Sequence, residues 1–142
     1  VSSFNVKKIY PNTIKILVIE KKPVAVFVQG KKKFFISDNG DLINYTKNEN
    51  FLNLPILFGK KTNFHNLYTQ LKRINFPINT IKSFHYFEID RWDITLKNDK
   101  LIRLPKNNYF ETLKNFISIK NDSKFKEYKI FDYRIKDQLI LN

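Results

Sequence analysis

The sequence has no cysteine, few glycines and no long hydrophobic run, and each shortage excludes a class of protein. Without cysteine there are no disulfides, thiol nucleophiles or zinc–thiolate sites. The three glycines, Gly30, Gly40 and Gly59, are isolated, so no glycine-rich loop that cradles a phosphate is present. No run of about 18 or more apolar residues could span a bilayer, and no apolar stretch of a signal peptide follows Val1.

Acidic residues are also scarce, since 13 Asp and Glu stand against 26 Lys and Arg and the net charge is +13. Such a charge is typical of a nucleic-acid or anionic-surface partner. Only four basic residues are arginine, whose planar fork suits phosphate and guanine. Because the lysines are spread along the chain, a solvated lysine surface is favoured. A basic single-stranded nucleic-acid-binding module is the alternative, with Lys31–Phe35 as its stacking platform.

The length and the hydrophobic content predict a folded chain with its own core. The 142 residues suit one domain, or one domain and a fragment of a second, without disulfides or metals. Hydrophobic residues make up 42% of the chain and aromatic residues 15%, which argues against disorder. The chain begins without Met inside a predicted strand, so we expect it to be a piece of a longer protein.

Hydrophobic periodicity predicts an α+β fold, with a mostly antiparallel sheet and two helices packed on one face. Apolar residues recur at helical spacing between Asn63 and Asn75. They do so again after Asn108, where Glu111 has the spacing of a capping box. Residues 45–61 are predicted as an irregular connector, packed by Phe51, Leu52, Ile56 and Leu57. The predicted strands are Ile14–Ile19, Val24–Val28, Phe34–Ile36, Leu42–Ile43, Phe84–Ile89, Trp92–Leu96, Leu101–Leu104, Tyr128–Arg134 and Gln138–Leu141.

Residues that could carry acid–base or metal chemistry are few and scattered. His65 is predicted in a helix and His85 in a strand, each without a nearby second ligand. Glu88, Asp90 and Asp93 form a local carboxylate cluster, but a charged turn is favoured because raised carboxylate pKa values require burial. No catalytic, cofactor-binding or metal-binding residue is predicted, and the chain is not expected to be an enzyme.

Several segments, in order along the chain, resemble the bacterial cell-division family FtsQ/DivIB. Val6–Ala25 is similar to the family's strand–turn–strand pattern, through Pro11, Thr13, Ile16, Val18, Glu20, Pro23 and Ala25. The other segments that carry the resemblance are Asp38 with Gly40, Leu54-Pro55 followed by Gly59, the hairpin Trp92–Leu104, and Phe131–Arg134.

The resemblance implies that residues 1–44 are the C-terminal strands of a truncated POTRA domain and that residues 45–142 are the family's β domain. It implies a non-enzymatic divisome scaffold for septum formation, without cofactors. It places this part of the protein on the periplasmic side of the inner membrane, anchored by a transmembrane helix outside the chain. It also implies FtsB/FtsL-like division proteins as partners, bound by strand addition at the last strand.

By this resemblance, the partner-binding strand is Gln138–Leu141, preceded by a turn at Ile135–Asp137. A terminal strand with a free edge is a template for an added strand, and also for weak self-association. An unused edge, blunted by Lys136 and Asp137, is the alternative. The full set of predicted partner-binding residues is Ile135, Lys136, Asp137, Gln138, Leu139, Ile140, Leu141 and, from the position of basic residues in the family, Arg91.

Overall fold

The computed structural model describes residues 22–142 in full and, before them, the backbone of two strands. These strands are β1 (Ser3–Ile9) and β2 (Thr13–Ile19), and they pair in antiparallel orientation. The second of them confirms the strand predicted at Ile14–Ile19. Pro11 and Glu20, which belong to the pattern resembling the family, lie outside the described residues.

From Pro23 onward the chain forms one sheet of nine strands. They are β3 (Pro23–Gln29), β4 (Lys32–Ser37), β5 (Leu42–Asn44), β6 (Ile56–Phe58), β7 (Ile81–Phe87), β8 (Arg91–Leu96), β9 (Leu101–Arg103), β10 (Ile130–Asp132) and β11 (Ile140–Leu141). Their order across the sheet is β11-β10-β9-β8-β7-β6-β3-β4-β5. Five neighbouring pairs are antiparallel and three are parallel, which confirms the predicted α+β class with a mostly antiparallel sheet.

Two helices connect the parallel pairs in the second half of the chain. Helix α1 (Phe64–Arg73) leads from β6 to β7, and helix α2 (Tyr109–Ile119) leads from β9 to β10. Both connections step in the same direction across the sheet, between strands that point the same way. Crossovers of one hand therefore place both helices on one face. The helices touch there, where the Asn66 amide donates to the Tyr109 hydroxyl at 3.1 Å.

The core lies between this face and the helices, and aromatic rings form much of it. Phe64 on α1 packs edge-on against Phe84, with ring centroids 5.3 Å apart, and Phe116 on α2 packs edge-on against Phe131 at 5.1 Å. All four side chains are almost completely buried. Burial of one such side chain contributes roughly 1.5–3 kcal/mol to stability, so these contacts fix the helices on the sheet.

The prediction for residues 45–61 is wrong in one respect, because this segment contains strand β6 in the middle of the sheet. Leu57 is fully buried, between Phe27 of β3 and Phe84 of β7. A strand of three residues is too short to give a two-residue alternation, so the sequence pattern did not reveal it. Leu52, predicted to pack the connector, is 66% exposed.

The capping box predicted at the start of α2 is also wrong. Asn108 precedes the helix with a φ of 59°, in the left-handed region, and its side chain makes no capping hydrogen bond. A side chain caps a helix from an extended backbone, which this conformation does not provide. Asn63 precedes α1 in the same left-handed conformation, which asparagine tolerates better than most residues.

The predicted division between residues 44 and 45 falls within the sheet. Strands β3 to β5 pair with one another on one side of that point, and β3 also pairs with β6 on the other side. Backbone hydrogen bonds therefore join the two segments. Their assignment to a POTRA remnant and a β domain stays a prediction.

Candidate partner-binding edge

Strand β11 lies at one edge of the sheet and pairs on one side with β10. Leu141 lies opposite Phe131, and Ile140 lies opposite Asp132. The ladder continues for one residue, because Ile130 and Asn142 exchange two backbone hydrogen bonds of 3.0 and 3.1 Å. Both strands are shorter than predicted. β10 covers Ile130–Asp132 and not Tyr128–Arg134, and β11 covers Ile140–Leu141 and not Gln138–Leu141.

The ladder fixes which backbone groups of β11 face outward. In an antiparallel pair, hydrogen-bonded and non-hydrogen-bonded positions alternate. Ile130 and Asn142 form a hydrogen-bonded pair, so Phe131 and Leu141 form a non-hydrogen-bonded one. The N–H and C=O of Leu141 therefore point away from β10. Within residues 22–142 no further strand pairs with this side of β11.

Side chains on the two faces of this edge differ in exposure. Leu139 and Leu141 are half-buried and pack against the core beneath the helices. Ile140 points to the opposite face and is 40% exposed. An added strand would therefore find one apolar side chain on each face of β11, without a charged residue or proline within it.

A groove of about 750 Å³ opens beside the edge, between the start of α2 and the segment that leads into β11. Its walls include Tyr133 and Asn115, whose side chains are joined by a hydrogen bond of 2.8 Å from the tyrosine hydroxyl. Burial raises the pKa of Tyr133, so this hydroxyl remains a donor. Five predicted partner-binding residues line the groove, namely Ile135, Lys136, Asp137, Gln138 and Leu139. The structure thus brings seven of the eight predicted residues to one end of the molecule, as the groove lining and the edge strand.

The sheet face opposite the helices carries a row of alternating charges that leads to this edge. Asp93 lies opposite Arg103, Arg103 lies opposite Asp132, and Asp132 lies opposite Ile140. Arg134, two residues after Asp132 in the sequence, donates hydrogen bonds to both of its carboxylate oxygens, with distances of 2.6 to 3.0 Å. The hydrogen bonds from Arg134 hold the pKa of Asp132 below its usual range, more than burial raises it.

Arg91, the eighth predicted residue, is buried and forms its contacts with other residues of this chain. Its side chain is about 10% exposed, and its guanidinium donates to Asp93 at 2.5 Å. The guanidinium also lies over the Phe87 ring, 4.6 Å from the centroid. A buried cation with a carboxylate partner offers little free charge to another protein, and a partner-binding role for Arg91 stays a prediction.

Other candidates from the sequence are dispersed by the fold. His65 contacts the backbone carbonyl of Asp38 at 2.7 Å, whereas His85 stacks between the rings of Phe58 and Phe87. Among the described residues no three His, Cys, Asp or Glu side chains come together as a metal site. No helix in the described part of the chain is long and apolar enough to cross a membrane.

The fold buries one of the two rings in the stacking platform of the nucleic-acid alternative and half-buries the other. Phe35 is 3% exposed and packs against Tyr45 and Phe51, with ring centroids 5.0 and 5.3 Å away. Phe34, on the other face of β4, packs against the core. The Phe35 ring is therefore closed to a base, since stacking requires an accessible ring face, whereas Phe34 is half-buried.

Comparisons with known proteins agree with the resemblance seen in the sequence. Residues 25–134 match the family model described as "Cell division protein FtsQ/DivIB, C-terminal". The cell division protein FtsQ of Rickettsia bellii is 30% identical over 143 aligned residues, which cover 94% of this chain and 53% of the relative. FtsQ of Rhizobium meliloti is 23% identical, with 97% of this chain and 46% of the relative covered. The chain thus spans about half the length of these curated relatives.

One similar solved structure is the major extracytoplasmic domain of the cell division protein DivIB from Geobacillus stearothermophilus. The match has a TM-score of 0.48 and 15% identity, and it covers 72% of this chain and 92% of that domain. The family match, by contrast, includes more than three quarters of the chain, from strand β3 through Arg134. The chain therefore belongs to the FtsQ/DivIB family of bacterial cell division proteins, within the C-terminal region of that family.

Proposed function

We propose that this chain is a non-enzymatic scaffold of the division complex that binds a partner by strand addition at β11. The observation that carries the proposal is the free edge, where the N–H and C=O of Leu141 point away from β10. An exposed edge of this kind supplies main-chain hydrogen bonds to an extended segment of another protein. Membership of a cell-division family supports a partner from the division machinery.

Successive side chains of the partner segment would meet different surroundings, because β11 presents half-buried Leu141 on one face and exposed Ile140 on the other. A small apolar residue would lie beside Leu141 on the helix side, and a second would lie beside Ile140 on the other. The adjoining groove, with Lys136 and Gln138 in its wall, could hold the chain that leads into the added strand. We propose FtsB/FtsL-like division proteins as the source of this segment.

We also propose the location that the family suggests. Members of the FtsQ/DivIB family are membrane-anchored division proteins with an extracytoplasmic domain. The relatives are about twice as long as this chain, which leaves room in a longer protein for an anchor elsewhere. The β11 edge would then lie on the periplasmic side of the inner membrane, where it could meet extracytoplasmic segments of other division proteins.

The test compares two substitutions at one position. Leu141→Pro removes the outward N–H, whereas Leu141→Ala removes the same apolar side chain but keeps that N–H. Binding to the extracytoplasmic segments of FtsB and FtsL from the same organism would be measured by isothermal titration calorimetry. We expect Leu141→Pro to weaken binding by about tenfold more than Leu141→Ala, since one added-strand hydrogen bond is lost and the ring obstructs its neighbour.

A fold control comes from the neighbouring residue. The N–H of Ile140 points toward Asp132, so Ile140→Pro breaks the internal ladder, whereas Leu141→Pro leaves it intact. Thermal unfolding should separate these two variants, with Leu141→Pro close to the Leu141→Ala reference. If folded Leu141→Pro binds the partners as tightly as Leu141→Ala does, strand addition at β11 is wrong.

A further inference from the structure

A small pocket lies at the end of the sheet where the β8–β9 turn meets the segments that follow the two helices. It encloses about 280 Å³, which is at the small end of ligand sites. Its apolar floor is formed by Phe76, Leu96 and Phe116, and its rim carries Lys97, Lys100 and Lys120. A pocket with an apolar floor and cationic rim suits a small molecule with both kinds of surface.

Lys100 is the unusual member of this rim. It is 9% exposed, and its ammonium lies over the Phe131 ring, 5.4 Å from the centroid. Among the described residues it has no carboxylate partner and no side-chain hydrogen bond. Buried lysines are normally paired, because transfer of an unpaired charge out of water is costly.

The surroundings of Lys100 disfavour its protonated, charged form. Burial, and then the nearby charges of Lys129 and Lys126, hold the pKa of Lys100 below its usual range. The nearest carboxylate along the chain, Asp99, forms an ion pair with Lys82 at 3.5 Å. An anion bound in the pocket would relieve this repulsion, because it would be the missing opposite charge.

The β8–β9 turn also presents a neutral donor. Asn98 accepts a hydrogen bond from the backbone N–H of Lys100 at 3.1 Å through its side-chain oxygen. This bond fixes the orientation of the amide, and the amide nitrogen remains available to an acceptor. Asn79 and Asn121 add two further amide groups to the rim.

We propose that this pocket binds a small organic anion, with a carboxylate or phosphate head group against Lys100 and Asn98 and an apolar portion on Phe76 and Phe116. The site lies on the surface formed by residues 76–80, 96–100 and 116–121 and shares no lining residue with the groove beside β11. The proposal is therefore independent of the function proposed for the edge strand.

The test is a set of NMR titrations of the full chain at fixed ionic strength and pH 7, with backbone amide shifts as the readout. The probes are phenylacetate, phenyl phosphate, inorganic phosphate and the uncharged 2-phenylethanol. We expect at least one aromatic anion to shift the backbone amides of Phe76 and of residues 78–80, 96–100 and 120–121 with saturation. The relative affinities of the two aromatic anions identify the head group, and inorganic phosphate measures the contribution of the apolar part. The uncharged alcohol should bind about tenfold more weakly, since it lacks the charge that Lys100 needs.

Three variants locate the site. Lys100→Met keeps the apolar stem and removes the charge, and it should weaken anion binding about tenfold. If this variant does not fold, the double variant Lys97→Met/Lys120→Met tests the same charge requirement at two other lysines of the rim. Lys114→Met, on the exposed face of α2, is the matched control and should leave binding unchanged. Equal binding by wild type and Lys100→Met, or shifts spread over surface lysines in general, would overturn the proposal.

Discussion

Arg134 binds both carboxylate oxygens of Asp132, with 2.9 Å from Nε to Oδ1 and 2.6 Å from Nη2 to Oδ2. The backbone N–H of Arg134 donates to the same carboxylate at 3.0 Å. Asp132 ends strand β10, and Arg134 follows at the point where the chain leaves the sheet toward the groove. The pair therefore anchors the segment that carries the proposed binding edge.

This anchor predicts a pH-dependent stability. Asp132 has a pKa below that of an unfolded aspartate, about 3.9, because Arg134 stabilises the charged form. A lowered folded-state pKa means that its contribution is complete above the unfolded pKa and is lost as the pH falls through the folded one. Asp132→Asn should therefore cost about 1 kcal/mol in free energy of unfolding near pH 7, and progressively less between about pH 5 and pH 2. Urea unfolding across this pH range measures the difference.

The control for this prediction is Asp137→Asn. Asp137 is exposed, and its φ of 59° is a conformation that asparagine adopts readily. This variant should differ from wild type by less than about 0.5 kcal/mol at both ends of the range. If Asp132→Asn follows the wild-type pH profile in parallel, Asp132 and Arg134 do not stabilise the fold through their charges.

A single methyl group added at Gly59 should lower the stability of the fold strongly. It follows β6 with a φ of 94°, and a Cβ there would clash with the backbone carbonyl of Tyr86 in β7. Gly59→Ala should lower the free energy of unfolding by about 2–4 kcal/mol, because backbone strain and a steric clash add. Thermal or urea unfolding monitored by the fluorescence of buried Trp92 measures the loss.

Gly30 is the matched control for Gly59. It also has a positive φ, of 60°, but a Cβ there would meet no atom within 4 Å. Gly30→Ala should therefore cost only the conformational strain, about 1–2 kcal/mol. A loss at Gly59 no greater than that at Gly30 would mean that the Tyr86 carbonyl does not lie against Gly59.

Much of the fold follows from local patterns in the sequence. The apolar positions of α1 predict a helix from Asn63 to Asn75, and the structure has one from Phe64 to Arg73. The hairpin of β8 and β9 agrees with the predicted strands Trp92–Leu96 and Leu101–Leu104, which are separated by a short polar segment. Helix α1 and strand β8 are long enough for periodicity to identify them, whereas β9 has three residues and is placed by the short turn that joins it to β8.

Features that depend on distant residues were not predictable in this way. Strand β6 is identified only by its parallel neighbours β3 and β7, which are far away in sequence. Arg91 is next to Trp92 in a charged segment, yet the fold turns it onto Asp93 and the Phe87 ring. Lys100 resembles any turn lysine in the sequence, and only the contact with Phe131 reveals its burial. Register and burial at these positions arise from tertiary packing, which local spacing does not encode.

The left-handed residue before α2 predicts an unusual response to substitution. Asn108 has a φ of 59° and provides no side-chain cap, so its replacement by glycine removes strain without a lost hydrogen bond. Asn108→Gly should be neutral or stabilising within about 1 kcal/mol, although loss of a capping residue usually destabilises a helix. Glu111→Ala should change stability by less than about 0.5 kcal/mol, because the capping box is not formed. A loss above 1 kcal/mol in either variant, measured by urea unfolding, would show that the side chains cap the helix in solution.

The free edge of β11 also predicts weak self-association, since two copies can pair through the same strand. An isologous pair would place Leu141 of each copy near the other, with hydrogen bonds from the outward N–H and C=O. We expect sedimentation velocity to detect association that increases with protein concentration, and Leu141→Pro to reduce it relative to Leu141→Ala. The partner segment should compete with this association, because both use one edge. Self-association that is unchanged in Leu141→Pro and unaffected by the partner would assign it to another surface.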